Sequence, residues 1–164
     1  MDNETPGMVF SYILMNGRPG ARAWIRGNGD NPQLSGWVNF FYTPYEGILI
    51  ESEIFGLPDI RVPGSSNFYG MHIHQMGDCS QPFDKTGEHY DFEDPERPHP
   101  QHSGDMIQLF SNQGYAWSAF YDKRITIPEI IGRSVVIHAM PDDFKSQPSG
   151  NPGSMIACGE IKEM

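Results

Sequence analysis

Only two of the 164 residues are cysteine, Cys79 and Cys158, so the chain cannot build a zinc site from thiolates and can close at most one internal disulfide. With no secretory leader in view, two free thiols are the ordinary expectation for such a pair. Basic charge is also scarce. Lys and Arg number 11 against 21 Asp and Glu, a net charge of -10, which argues against nucleic acid or an anionic membrane as partner, because both need cations to displace counterions. A protein this acidic that acts on an anion needs positive charge locally, and bound divalent metal can supply it. No stretch approaches the run of about 20 apolar residues that a membrane helix requires. The start, Met1-Asp2-Asn3-Glu4, is acidic where a leader would be basic, and the apolar stretch from Met8 to Met15 is short and interrupted by Ser11. The sequence therefore reads as cytoplasmic, or as the mature form of a secreted protein.

Amphipathic helical patterns of 10 to 15 residues are missing as well. What is present is alternation: Val9 to Leu14, Ala21 to Arg26, Leu34 to Tyr42 and Ile48 to Phe55 read as half-buried strands. Segments rich in Gly, Pro and Asn separate them, such as Asn16-Gly17-Arg18-Pro19-Gly20 and Gly27-Asn28-Gly29-Asp30-Asn31-Pro32. Further strands are predicted at Phe68 to His74, Gly114 to Tyr121, Ser134 to Met140 and Met155 to Ile161. Ile127 to Gly132 is either one helical turn or a loop. Two long loops remain, one after His74 and one from Asp142 to Gly153, and loops of this kind carry function more often than packing. About eight antiparallel strands with two long loops predict an all-β Greek-key sandwich or flattened barrel, a single domain over 1–164.

The first 71 residues hold no histidine; all six lie between positions 72 and 138. His72 and His74 flank Ile73 on a predicted strand, and a period of two puts both rings on one face. His99, His102 and Asp105 follow at intervals of three, so one turn of loop can aim two nitrogens and a carboxylate at one cation. Imidazole and carboxylate without thiolate suit zinc or copper, and a tetrahedral zinc needs one more ligand, for which His89 is the nearest candidate. Any one histidine is most simply a surface or hydrogen-bonded residue. The strand pair, the loop triplet and the later strand residue His138 together point to metal.

These residues sit in a series of motifs: Gly70-Met71-His72-Ile73-His74, Gly77-Asp78-Cys79, Gly87-Glu88-His89-Tyr90, His102-Ser103-Gly104-Asp105, Ile131-Gly132-Arg133-Ser134-Val135-Val136-Ile137-His138, and Gly150-Asn151-Pro152-Gly153-Ser154-Met155-Ile156-Ala157-Cys158-Gly159. In order and spacing the series resembles the copper/zinc superoxide dismutase family. The resemblance implies copper held by His72, His74, His89 and His138, and zinc held by His89, His99, His102 and Asp105, with His89 bridging the two. It implies that Asp142 orients His72 and His99 through hydrogen bonds, and that Cys79 and Cys158 form a disulfide. The implied reaction is dismutation of superoxide to O2 and H2O2, with electrons passing through copper and a proton through His89. A copper donor is a candidate partner. A homodimer is compatible with the resemblance, although family members pair through different faces.

The sequence departs from the family in three places. Met155 stands three residues before the last cysteine, where the family usually has an arginine that guides the anion. The loop from Asp142 to Gly153 is short, with Lys145 as its only basic residue and Ser149 where a channel-lining threonine is common. Weak electrostatic guidance is expected. The zinc segment is compressed to nine residues between His89 and His99, which makes His99 the least secure of the ligands; Asp91, Glu93, Asp94 and Glu96 crowd the same loop, where one could substitute for it, and otherwise read as solvated charges.

Overall fold

The computed structural model describes residues 4–59, 65–94 and 96–164; the acidic start at Met1 to Asn3 lies outside them. Among the described residues nine strands form, namely β1 (Ala21–Gly27), β2 (Ser35–Tyr42), β3 (Ile48–Phe55), β4 (Phe68–Tyr69), β5 (Met71–His74), β6 (Leu109–Phe110), β7 (Ala116–Asp122), β8 (Ser134–His138) and β9 (Met155–Glu163). Seven of them make one curled antiparallel sheet in the order β5-β8-β9-β1-β2-β3-β7, while β4 and β6 pair separately. The predicted strand from Phe68 to His74 is thus divided at Gly70, and its two parts join different sheets.

Alternation along the strands builds the core. Ala21, Ala23 and Ile25 of β1 face inward against Ile50 and Ile54 of β3 and Ile161 of β9, while Arg22, Trp24 and Arg26 point away. On β5 and β8, Met71, Ile73, Val135 and Ile137 enter this core. Their neighbours His72, His74, Val136 and His138 take the opposite face. That face is covered too, since all five residues of β8 are buried, and a second apolar cluster of Phe83, Val136 and Cys158 lies there with Cys79 and Met155 packed on it.

One strand prediction is wrong. Val9 to Leu14 lies in an α-helix, α1 (Pro6–Asn16). Pro6 in its first turn and Gly17 just past its end are start and stop signals for a helix, and they outweigh a six-residue alternation that has no strand to pair with. The Gly17 N–H donates to Ile13 O at 2.7 Å, and Phe10 anchors the helix by stacking on Tyr121 at 5.0 Å between ring centroids. Ile127 to Gly132 resolves as the helical turn, α2 (Ile127–Ile130). Among the described residues no helix is long and apolar enough to cross a membrane.

Candidate metal centre

β5 is the base of the site. The long loop returns to it twice, through bridges pairing His74 with His89 and His72 with Asp105. Ile73 sits between them, its N–H donating to Gly104 O at 2.9 Å and its carbonyl accepting from the Tyr90 N–H at 2.8 Å. Gly104 has no substitute here, because a Cβ would lie 2.4 Å from Ile73 O. The backbone pairing thereby places the loop residues His89, His102 and Asp105 beside the strand residues His72 and His74.

All six histidines and Asp105 are buried. The ligating atoms fall into two groups, His72, His74, His89 and His138, and His89, His99, His102 and Asp105; within each group they lie within 4.8 Å of one another. His89 belongs to both. His99, the least secure residue in the sequence, is in the second group, and the neighbouring carboxylates are not. Asp91 is buried rather than solvated, accepting from the backbone N–H groups of Glu93, Asp94 and Ser103. Glu93, Asp94 and Glu96 are exposed, as expected.

Hydrogen bonds fix which nitrogen of four rings is bare. Asp142 is an acceptor for the Nε2–H of both His72 and His99, each at 2.8 Å. That leaves Nδ1 of each ring as a lone pair. His74 Nδ1–H donates to Gly87 O at 2.8 Å and His138 Nδ1–H to Gly153 O at 3.2 Å, leaving Nε2 bare on both. Among the described residues, the buried side-chain nitrogens and oxygens without a hydrogen-bond partner are six ring nitrogens, one from every histidine: Nδ1 of His72, His99 and His102, and Nε2 of His74, His89 and His138. Each such atom left unmet costs about 1–3 kcal/mol, and six of them rival the whole stability of a domain. Cations that take these lone pairs remove that cost. In the second group His89 Nδ1 is 2.8 Å from Asp105 Oδ1, while His99 and His102 Nδ1 are 3.2 and 3.0 Å from Asp105 Oδ2. These spacings approach the roughly 3.3 Å edge of a tetrahedron with zinc-to-nitrogen bonds, so the donor set fits the metal.

Burial sets the electrostatics. It pushes His138 down to about 3 and His72 to about 4, the latter against the opposing pull of its Asp142 hydrogen bond, and it holds His74 well below the ordinary imidazole value. For Asp142 burial acts upward, but the hydrogen bonds from His72, the Phe144 N–H and His99 outweigh it and bring the carboxyl to about 2. A pH dependence follows for the metal-free protein. Below pH 6.5 the unfolded chain protonates these three histidines while the folded chain keeps them neutral. Stability therefore falls as pH drops from 6.5 toward 4, by up to about 1.4 kcal/mol per pH unit for each histidine. The Asp142 contribution is present above the ordinary carboxylate value and is lost only as pH falls toward 2. Urea midpoints of metal-free protein at pH 7, 6 and 5 test this, and an unchanged midpoint contradicts it.

Several positioning residues escaped the sequence reading. Gln147 exchanges two bonds with the His99 backbone, both at 2.8 Å, and Gln108 does the same for Asp142 at 2.9 and 3.1 Å. Arg124 donates to His102 O and Asp105 O while paired with Asp122. Gly150 at φ +77° passes so close that a Cβ would overlap Asp142 Oδ1 and His99 Nε2. Gln147, Gln108 and Arg124 carry no local signal, because their bonds to the site reach residues 19 to 48 positions away, whereas Gly150 opens the motif that runs to Gly159.

A cleft of about 290 Å³ opens beside His74, His89 and His138, with Asp84, Gly87, Glu88, Ser149, Pro152, Gly153 and Met155 completing its lining. Met155 and Ser149, the residues the resemblance assigned to an anion channel, both belong to this lining. Lys145 is not part of this lining and is exposed. A larger groove of about 720 Å³ touches the histidine site only through Asp105. Cys79 and Cys158 are disulfide-bonded, correcting the free-thiol expectation and agreeing with the resemblance.

The family model described as copper/zinc superoxide dismutase (SODC) matches residues 34–161. The chain belongs to the copper/zinc superoxide dismutase family. Relatives in this family include the mouse extracellular superoxide dismutase [Cu-Zn], 34% identical over 138 residues that cover 79% of this chain and 53% of that protein. The superoxide dismutase [Cu-Zn] of Caulobacter vibrioides is 33% identical over 132 residues, 71% of this chain and 72% of that one. The rat copper chaperone for superoxide dismutase is 32% identical over 152 residues, 86% of this chain and 52% of the chaperone. The chain spans about half the length of the extracellular relatives it matches. Among solved structures, that of the clock protein EA4 superposes with a TM-score of 0.73 at 27% identity, covering 89% of this chain and 96% of that one. The superoxide dismutase family thus includes enzymes and a copper chaperone at similar distance from this chain.

Proposed function

We propose that this chain dismutates superoxide at a copper and zinc pair bridged by His89. The observation that carries the reading is the set of six bare, buried imidazole nitrogens arranged in two groups that share one ring. In this reading His72, His74, His89 and His138 hold copper, and His89, His99, His102 and Asp105 hold zinc, within a single domain. Copper, when bound, supplies one-electron transfer to and from superoxide, and zinc supplies fixed positive charge without redox chemistry.

The protein's own contribution is orientation and proton handling. Asp142 keeps His72 and His99 in the tautomer that presents Nδ1 inward, so the two metal groups are aligned by one carboxylate. His89 is the ring that reaches the cleft and Asp105 at once. His89 lines the cleft, so its ring is placed to hold a proton for a small oxyanion bound there. The Ser149 hydroxyl adds a neutral donor to the lining.

Among the described residues no Lys or Arg lines the cleft, and Asp84 and Glu88 do. Attraction of an anion is accordingly weak. Met155→Arg should raise turnover at low ionic strength by roughly tenfold and make it fall more steeply with salt, within the range that steering achieves elsewhere. Absence of any gain at low salt contradicts that account.

The direct test is elemental analysis of the isolated protein, with superoxide consumption measured before and after copper is added. Activity that appears with copper supports the proposal. Copper bound without activity favours a second reading, a copper- and zinc-binding sandwich with little dismutase activity, to which the acidic cleft and the chaperone relative lend weight.

A further inference from the structure

We propose that the cleft beside His74, His89 and His138 is an uptake and holding port for monovalent copper, with the Met155 thioether as a sulfur donor and Asp84 and Glu88 as the attracting rim. The inference rests on the reading that the four-histidine group holds copper.

Three observations meet at this place. First, the lining is negative: Asp84 and Glu88 are exposed at the cleft, while the lysine between them in sequence, Lys85, is 3.9 Å from Asp78 and lies outside the lining. Such a rim favours a cation and opposes an anion. Second, three of the bare ring nitrogens, His74 Nε2, His89 Nε2 and His138 Nε2, belong to residues that line this same cleft. Third, Met155 is the sole sulfur-bearing residue in the lining, and the sheet register places it directly across from His138. Both residues line the cleft, which brings a thioether and an imidazole to one opening.

The thioether also has a defined seat. The Thr86 hydroxyl, fully buried, stands 3.7 Å from Met155 Sδ and 3.3 Å from His74 Nδ1. That hydroxyl also donates to Phe83 O at 2.8 Å and meets His74 on Nδ1, the nitrogen turned to Gly87 O, so the flexible thioether must swing toward the cleft to join the bare Nε2 on the other side of the ring. Carboxylate, imidazole and thioether differ in what they select: carboxylates attract any cation, imidazole takes divalent and monovalent copper, and a neutral soft sulfur favours the monovalent ion. Passing inward from Asp84 and Glu88 to Met155 and the histidines, the cleft grows softer. That order suits a cuprous ion moving inward to the histidines.

Anaerobic competition against a chromophoric cuprous chelator tests the proposal with wild type, Met155→Leu and the double variant Asp84→Asn/Glu88→Gln. Leucine keeps the volume and apolarity that Met155 gives to the Val136 and Cys158 cluster, so folding should survive. Met155→Leu should weaken cuprous binding about tenfold while leaving cupric binding within about twofold. X-ray absorption of the cuprous wild type should show a sulfur neighbour that the leucine variant lacks. The double variant should take up cuprous ion severalfold more slowly at low salt, with the difference lost at high salt. Equal cuprous affinities for wild type and Met155→Leu, no sulfur neighbour, or unchanged uptake by the double variant overturns the proposal while cupric binding stands. Failure of wild type to bind copper in either state sinks the underlying reading as well.

Discussion

Loaded with copper and zinc, the protein should melt roughly 8–16 °C above its chelated form for each occupied site, at free metal a thousandfold over Kd. A ligand that binds only the folded chain stabilises it by about 4 kcal/mol at that excess, and a chain of this length gains about 2–4 °C per kcal/mol. Both groups need the fold: the first joins β5 and β8 to the long loop, and the second is drawn from that loop where it is bridged to β5. The chelated protein regains the cost of six buried nitrogens with no partner. Thermal scans with chelator, with zinc alone and with both metals separate the two sites. Superimposed scans would mean that the histidines are incidental to metal.

Opening the Cys79 to Cys158 bridge should destabilise the folded chain by about 4–5 kcal/mol in the chain-entropy account, or roughly 10–20 °C in melting temperature. The bridge closes a separation of 79 residues, about half of the chain, and long closures restrict the unfolded state most. It also ties the start of the long loop to β9, where Cys158 packs with Val136 and Phe83 beside Met155. A paired Cys79→Ser/Cys158→Ser variant, scanned with and without metal, should therefore lose stability in both states. Loss of less than about 1 kcal/mol would show that packing alone secures the loop.

The strands that form the sheet were legible because their inward residues repeat with a period of two, as in Ala21, Ala23 and Ile25. The helix α1 was misread for a related reason: a short apolar run carries little information on period, and the decision lay in Pro6 and Gly17 at its ends. For the site, His-x-His on a strand and the triplet spacing of His99, His102 and Asp105 were local enough to see. Gln147, Gln108 and Arg124 were not, since a glutamine that clamps a distant backbone looks like any polar loop residue until the chain has folded.

Residue order alone determined the class of chemistry: histidines and one carboxylate without a thiolate set, on a chain patterned for antiparallel strands. Folding decided which atoms do the work. Asp142 selects the bare nitrogen of His72 and His99, and Gly153 that of His138, a selection made by hydrogen-bond geometry between segments brought together by the sheet. Likewise only the folded chain set Met155 across from His138 and put carboxylates around the cleft, because charge and softness at a site are sums over side chains whose spacing exists only after strands β8 and β9 pair.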